Sequence, residues 1–90
     1  MARREGVMRA LVTQALQYPV ARREDVLAEL RGRREQLRQA GCNYWLFEDA
    51  GLPGVLIEFL EARDAATLAR AREAAGLPRV DVPILSEVEF

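Results

Sequence analysis

Few side chains in this sequence could do chemistry, and most of them lie between residues 33 and 58. The most telling is Glu58, set inside the apolar run Val55–Leu60, VLIEFL. A carboxylate buried there without a partner is a potential acid or base. Tyr44, in the aromatic run Tyr44–Phe47, is the natural proton donor to go with it. The contrasting expectation is a structural one: buried charges are normally paired, so Glu58 should meet an arginine, within the chain or in a second copy. Arg9, on the adjoining first strand, is a candidate partner. Arg33 and Arg34 interrupt an apolar helical stripe between Leu30 and Leu37. There they either reach an anionic ligand or extend to the rim with only their stems buried. Trp45 and Phe47, with Tyr44, either line a ligand cavity or pack in a core or interface.

Much other chemistry is excluded by composition. The chain has no histidine, one cysteine (Cys42) and one serine (Ser86). Standard zinc sites and Ser-His or Cys-His nucleophile pairs are therefore out of reach, and the reading assigns no metal and no cofactor. Gly51 and Gly54 punctuate a turn and do not form a phosphate-binding loop. All thirteen basic residues are arginine, against fourteen acidic ones, for a net charge of −1. A nucleic-acid binder would show a basic excess; here Glu48, Asp49, Glu58 and Glu61 surround the stacking-competent Trp45 and Phe47. Cys42, at the head of an apolar run, is expected to be a packed thiol. No apolar run approaches the about 20 residues of a membrane span, and no basic region leads into a long apolar stretch. A cytoplasmic protein with neither a nucleic-acid nor a membrane partner is expected.

These side chains must be positioned by elements legible in the sequence. The ninety residues make one domain, 1–90. Met1–Gly6 is short, charged and expected to fray. Val7–Tyr18 reads as a first strand whose apolar set is broken at Gln14 and which Pro19 ends. Helix is the runner-up for this stretch. Val20–Ala40 reads as a helix, with Val26, Leu30, Leu37 and Ala40 on one face and Gly41 as C-cap. Glu29 and Arg33 sit at i, i+4 spacing as an ion pair, and Gly32 suggests close approach to another backbone. Tyr44–Phe47 and Val55–Leu60 form a hairpin about the Asp49–Gly54 loop. Asp64 caps a second helix, Ala65–Ala75, which Gly76 and Pro78 end. Ile84–Phe90 alternates as a half-buried last strand.

The order β-α-β-β-α-β is the ferredoxin-like arrangement: α+β, a four-stranded antiparallel sheet with two helices on one face. Strands one and three take the centre. The hairpin is apolar on both faces, whereas a lone sheet covered on one side shows polar residues on the other. A second copy of the chain is therefore expected over the open face, in a homodimer. The sequence leaves two hairpin registers, which exchange core for interface. The favoured one puts both Trp45 and Glu58 on the dimer-facing side.

This order, the short length and the run NYWLFEDAGLPGVLIEFLEARDAATL resemble the dimeric α/β-barrel superfamily, which includes the antibiotic-biosynthesis-monooxygenase-like (ABM-like) domains. The resemblance implies two sheets facing each other in a dimer, with a pocket between each sheet and its helices. Cofactor-free monooxygenases and haem-degrading relatives typically use Asn, Trp and His in that pocket. This chain has Asn43 and Trp45 and lacks the histidine. The functional expectation is a homodimeric, non-catalytic or ligand-binding module for a small, partly apolar molecule, with Arg33, Arg34, Trp45 and Phe47 as ligand-binding residues. One alternative is a cofactor-independent oxygenase- or isomerase-like enzyme on an aromatic small molecule, with Glu58 as base and Tyr44 as proton donor. The other is a purely structural interaction domain.

Overall fold

The computed structural model describes residues 8–77 and 82–90. The expected fraying of Met1–Gly6, the start of the first strand at Val7 and the role of Pro78 lie outside them. The elements are β1 (Ala10–Gln17), a 3-10 turn (Val20–Arg22), α1 (Arg23–Gln39), β2 (Cys42–Glu48), β3 (Val55–Ala62), α2 (Ala65–Ala74) and β4 (Leu85–Ser86). The antiparallel sheet has the order β2-β3-β1-β4. This is the ferredoxin-like α+β arrangement, with β1 and β3 in the centre.

Local chemistry explains the boundaries. Pro19 cannot donate to a ladder, and the chain leaves β1 there at φ −66°, ψ 127° to enter the 3-10 turn. No side chain caps the N-terminus of α1, but Glu24 and Asp25 occupy its first turn, where the helix dipole favours acids. Gly41, at φ 88°, takes the left-handed conformation that ends α1. Asp64 Oδ1 accepts the Thr67 N–H at 2.7 Å, capping α2.

The register assigns the faces. Trp45 lies opposite Phe59 and Leu46 opposite Glu58 across β2 and β3, and Gln14 lies opposite Glu58 across β1 and β3. Trp45 and Phe47 therefore share the open face with Val55, Ile57 and Phe59, while Tyr44, Leu46, Leu56, Glu58 and Leu60 face the helices. Trp45 is on the expected side, but Glu58 is not: it belongs to the helix-facing core. Both helices pack on that face, where Leu37 of α1 and Leu68 and Ala71 of α2 meet Val12, Tyr44 and Leu60 of the sheet. A second cluster near the 3-10 turn joins Tyr18, Leu30 and Leu56.

Two other expectations need correction. The last strand is only Leu85–Ser86, paired with Leu11 and Ala10 and extended by one bond from Glu87 N to Arg9 O at 2.8 Å. Ile84, Leu85, Val88 and Phe90 are all exposed, so the alternation in this segment does not mark a half-buried strand. Gly32 approaches no backbone: a Cβ added there would meet nothing within 4 Å.

Candidate functional site

Glu58 is the only acidic residue in the core of the described residues, at 1% exposure. Its position follows from β3, whose even-numbered residues point to the helices. Three side chains converge on the carboxylate from three elements. Gln14 of β1 donates from Nε2 to Oε1 at 2.8 Å. Arg33 of α1 donates to Oε2 at 2.7 Å. Tyr44 of β2 donates its hydroxyl to the same oxygen at 2.5 Å. No buried side-chain polar atom among the described residues lacks a hydrogen-bond partner.

The structure thus brings together Glu58, Tyr44 and Arg33, so that Glu58 does pair with an arginine, but not with the candidate Arg9. Arg9 lies on the other side of the sheet, where it pairs with Glu87 at 3.0 Å and Glu61 at 3.4 Å. The expected Glu29–Arg33 helix pair gives way to the buried one, because Arg33 turns inward between Leu30 and Leu37 to reach the carboxylate. A charge-assisted bond to a carboxylate in the core is stronger than an exposed helix pair. Gln14 was the missed member. Its signal was the break it makes in the apolar set of β1, at the position opposite Glu58.

Burial, followed by the hydrogen bond to Glu58, pushes the Tyr44 hydroxyl well above the usual phenol range. Tyr44 is therefore a protonated donor at neutral pH. Cys42, also buried in this core, has its thiol pushed up to about 11, chiefly by desolvation. A thiol so placed is a structural hydrophobe and not a nucleophile. Among the described residues, no cluster of His, Cys, Asp and Glu could hold a metal ion.

Beside this network, between α1 and the edge strand β2, lies a groove of about 310 Å³. Leu27, Leu30, Leu46 and Tyr44 give it apolar surface, and Arg31, Arg34 and Trp45 complete its lining. Of the expected ligand-binding residues, Arg34 and Trp45 are at this groove. Arg33 is committed to Glu58, and Phe47 lies on the open face, packed edge-on against Phe59 at 5.2 Å between centroids.

The open face carries its own pattern. Trp45 is 48% and Phe47 56% exposed, next to the partly buried Ile57 and Phe59. At one end Arg9, Asn43, Glu61 and Glu87 form a polar cluster, with Asn43 donating to Glu61 at 2.9 Å. A hollow of about 370 Å³ lies there, lined by Leu11, Trp45 and Leu85 among others. At the far end of the hairpin Arg23 and Tyr18 hold Glu48, at 2.8 and 3.1 Å. The Arg23 hydrogen bond, with that of Tyr18, keeps Glu48 below the usual carboxylate range.

Among the described residues, no helix is long and apolar enough to cross a membrane. No family model matches the sequence, and no curated protein matches it. Solved structures do match in fold. A conserved protein from Methanosarcina mazei superposes with a TM-score of 0.68 at 12% identity, over 94% of this chain and 96% of that one. A protein named provisionally as an antibiotic biosynthesis monooxygenase, from Nitrosomonas europaea, gives 0.66 at 11% identity, over 96% and 93%. A structure from Mycobacterium tuberculosis gives 0.61 at 20% identity, over 92% and 95%. At these identities the likeness concerns fold and carries no residue roles across. The sheet order, the two helices on one face and these near full-length superpositions agree, and the chain shares the ferredoxin-like fold of these three proteins.

Proposed function

We propose that this chain is a single-domain, homodimeric ABM-like module that binds a small, partly apolar molecule and performs no reaction on it. The observation that carries this reading is the state of Glu58. The enzymatic alternative for this chain needs it as a base and Tyr44 as a proton donor. Here the carboxylate is shut into the core and already accepts hydrogen bonds from Gln14, Arg33 and Tyr44. To take a substrate proton it would have to break contacts that hold β1, β2, β3 and α1 together. The groove between α1 and β2 offers a small ligand a site that leaves this network intact.

The dimer is supported by the open face. Trp45 and Phe47 stand out beside Ile57 and Phe59, an apolar surface that a second copy would remove from water. An isologous pair about a two-fold axis is the commonest way to do so. The lone, buried Cys42 suits a cytoplasmic, reducing setting.

The test is saturable binding of the neutral apolar probe N-phenyl-1-naphthylamine, followed by its emission, in the wild type and in Glu58→Gln. The reading expects one saturable site per subunit in both proteins and Kd values within about threefold of each other, a difference of less than one RT ln 10. Absence of saturable binding to the wild type contradicts the binding role. A folded Glu58→Gln protein that loses the site would return Glu58 to the ligand.

A further inference from the structure

We propose that the groove between α1 and β2 is an anion site that selects small carboxylates with an aryl or medium-chain alkyl body. This rests on the reading that the chain binds a small molecule, and it names the ligand's chemistry. The argument starts from unmatched charge. Arg22, just before α1, pairs with Asp25, and along α1 Arg23 pairs with Glu48 and Arg33 with Glu58. Arg31, Arg34 and Arg38 have no carboxylate partner among the described residues, and the first two line this groove. These two are three residues apart on the helix, so they are neighbours on its surface. The chain as a whole is slightly acidic, with fourteen acidic residues available. What is local is that two such cations line one recess whose lining holds no acidic residue.

The rest of the lining sets the ligand's body. Leu27, Leu30, Leu46 and the Tyr44 ring are apolar, and Trp45 adds an indole at the edge strand. About 310 Å³ is at the small end for a ligand site. A one-ring or medium-chain acid suits that volume better than a cofactor or nucleotide. A planar guanidinium pairs bidentately with a carboxylate and is weakly hydrated, so it can do so beside apolar surface. Tyr44 gives its hydroxyl to Glu58 and presents only its ring, so no acid in the groove repels an incoming anion directly.

Trp45 is the only tryptophan and lines the groove, so its fluorescence reports occupancy. Phenylacetate, octanoate, the neutral isostere phenylacetamide and bodiless acetate are titrated into the wild type and into the double variant Arg31→Gln/Arg34→Gln. The replaced side chains are exposed, and circular dichroism checks that the fold is kept. Phenylacetate and octanoate should bind saturably and at least tenfold more tightly than phenylacetamide and acetate, with the advantage over the amide falling to within twofold in the double variant. Equal affinity for acid and amide overturns the proposal. So does a carboxylate preference that survives the double substitution, since the anion would then sit elsewhere, for instance at the open-face hollow beside Trp45. If phenylacetamide and N-phenyl-1-naphthylamine bind but the acids gain nothing, the carboxylate site falls and small-molecule binding stands. If no compound binds, both fall.

Discussion

Replacing Arg33 with methionine leaves Glu58 in the core without its cation, and the cost can be worked from the geometry. The pair lies at 2.7 Å, with Glu58 1% and Arg33 28% exposed. At an effective dielectric near 20, the gross attraction at that distance is about 6 kcal/mol. Desolvation of both groups offsets part of it, and the partial exposure of Arg33 screens more. Breaking a buried pair from one side costs about 3–5 kcal/mol because the other charge is stranded. Gln14 and Tyr44 still donate to the carboxylate, so Arg33→Met belongs near the lower end, at about 3 kcal/mol. Glu58→Gln is the milder change, at about 1–2 kcal/mol, because the freed guanidinium can turn to water while an amide oxygen still accepts from its neighbours. The double variant should cost less than the sum by about 1–2 kcal/mol, since no charge is left stranded. A domain of this length has a total stability of about 5–13 kcal/mol, so Arg33→Met takes a substantial share. Urea unfolding followed by circular dichroism and Trp45 emission, at one protein concentration throughout, reads all three values. An Arg33→Met protein within about 0.5 kcal/mol of wild type, or one more stable than Glu58→Gln, would refute the reasoning that the cation holds the carboxylate in the core.

Two further outcomes follow from the same core and its loops. The Cys42 thiol, raised from its ordinary 9.0 to about 11, keeps its proton in the fold when the unfolded chain has lost it. Its contribution is therefore complete below pH 9 and is lost as pH rises towards 11, with Tyr44 adding in the same direction above pH 10. The urea midpoint should fall across that window, and less steeply in Cys42→Ala; a midpoint that is flat or rises would contradict the burial of both groups. Glycine positions should split sharply. At Gly54, with φ 88°, an added Cβ would sit 2.9 Å from the Tyr18 carbonyl oxygen, so Gly54→Ala should cost at least about 1–2 kcal/mol. At Gly32 in α1 it meets open space, so Gly32→Ala should stabilise by up to about 1 kcal/mol. Equal effects in urea melts would overturn this reading of the two backbones.

The architecture was legible because each element has its own local signature. The stripe of Leu30 and Leu37, the cap at Asp64 and the apolar runs either side of the Asp49–Gly54 loop all lie where the sequence puts them. The side of the sheet that Glu58 faces was not legible, for a definite reason. Both faces of the hairpin are apolar, so alternation cannot choose between registers one residue apart. The choice is made by the turn, where Leu52 N bonds Asp49 O, Val55 N bonds Leu52 O and Gly54 adopts a positive φ. That geometry sets Glu48 opposite Leu56 and Trp45 opposite Phe59. Arg9 looked close to Glu58 because their strands adjoin, yet odd and even residues point to opposite faces. Arg33 was visible as an interruption of the helix stripe, but only the packing of α1 on the sheet shows that the interruption meets Glu58. The last strand shows the limit of alternation: its apolar residues repeat correctly, yet only Leu85 and Ser86 find partners on β1.

Sedimentation equilibrium of the wild type and of Phe47→Arg at micromolar concentration tests most directly the proposal that a second copy covers the open face of the sheet. Phe47 is 56% exposed and lies outside the helix-facing core, so the substitution places a charge on the open face without disturbing the Glu58 network. A dimer built on this face gives twice the monomer mass for the wild type and a monomer of unchanged secondary structure for Phe47→Arg. A wild type that sediments as a monomer, or a Phe47→Arg protein that remains as firmly dimeric as the wild type, would contradict it.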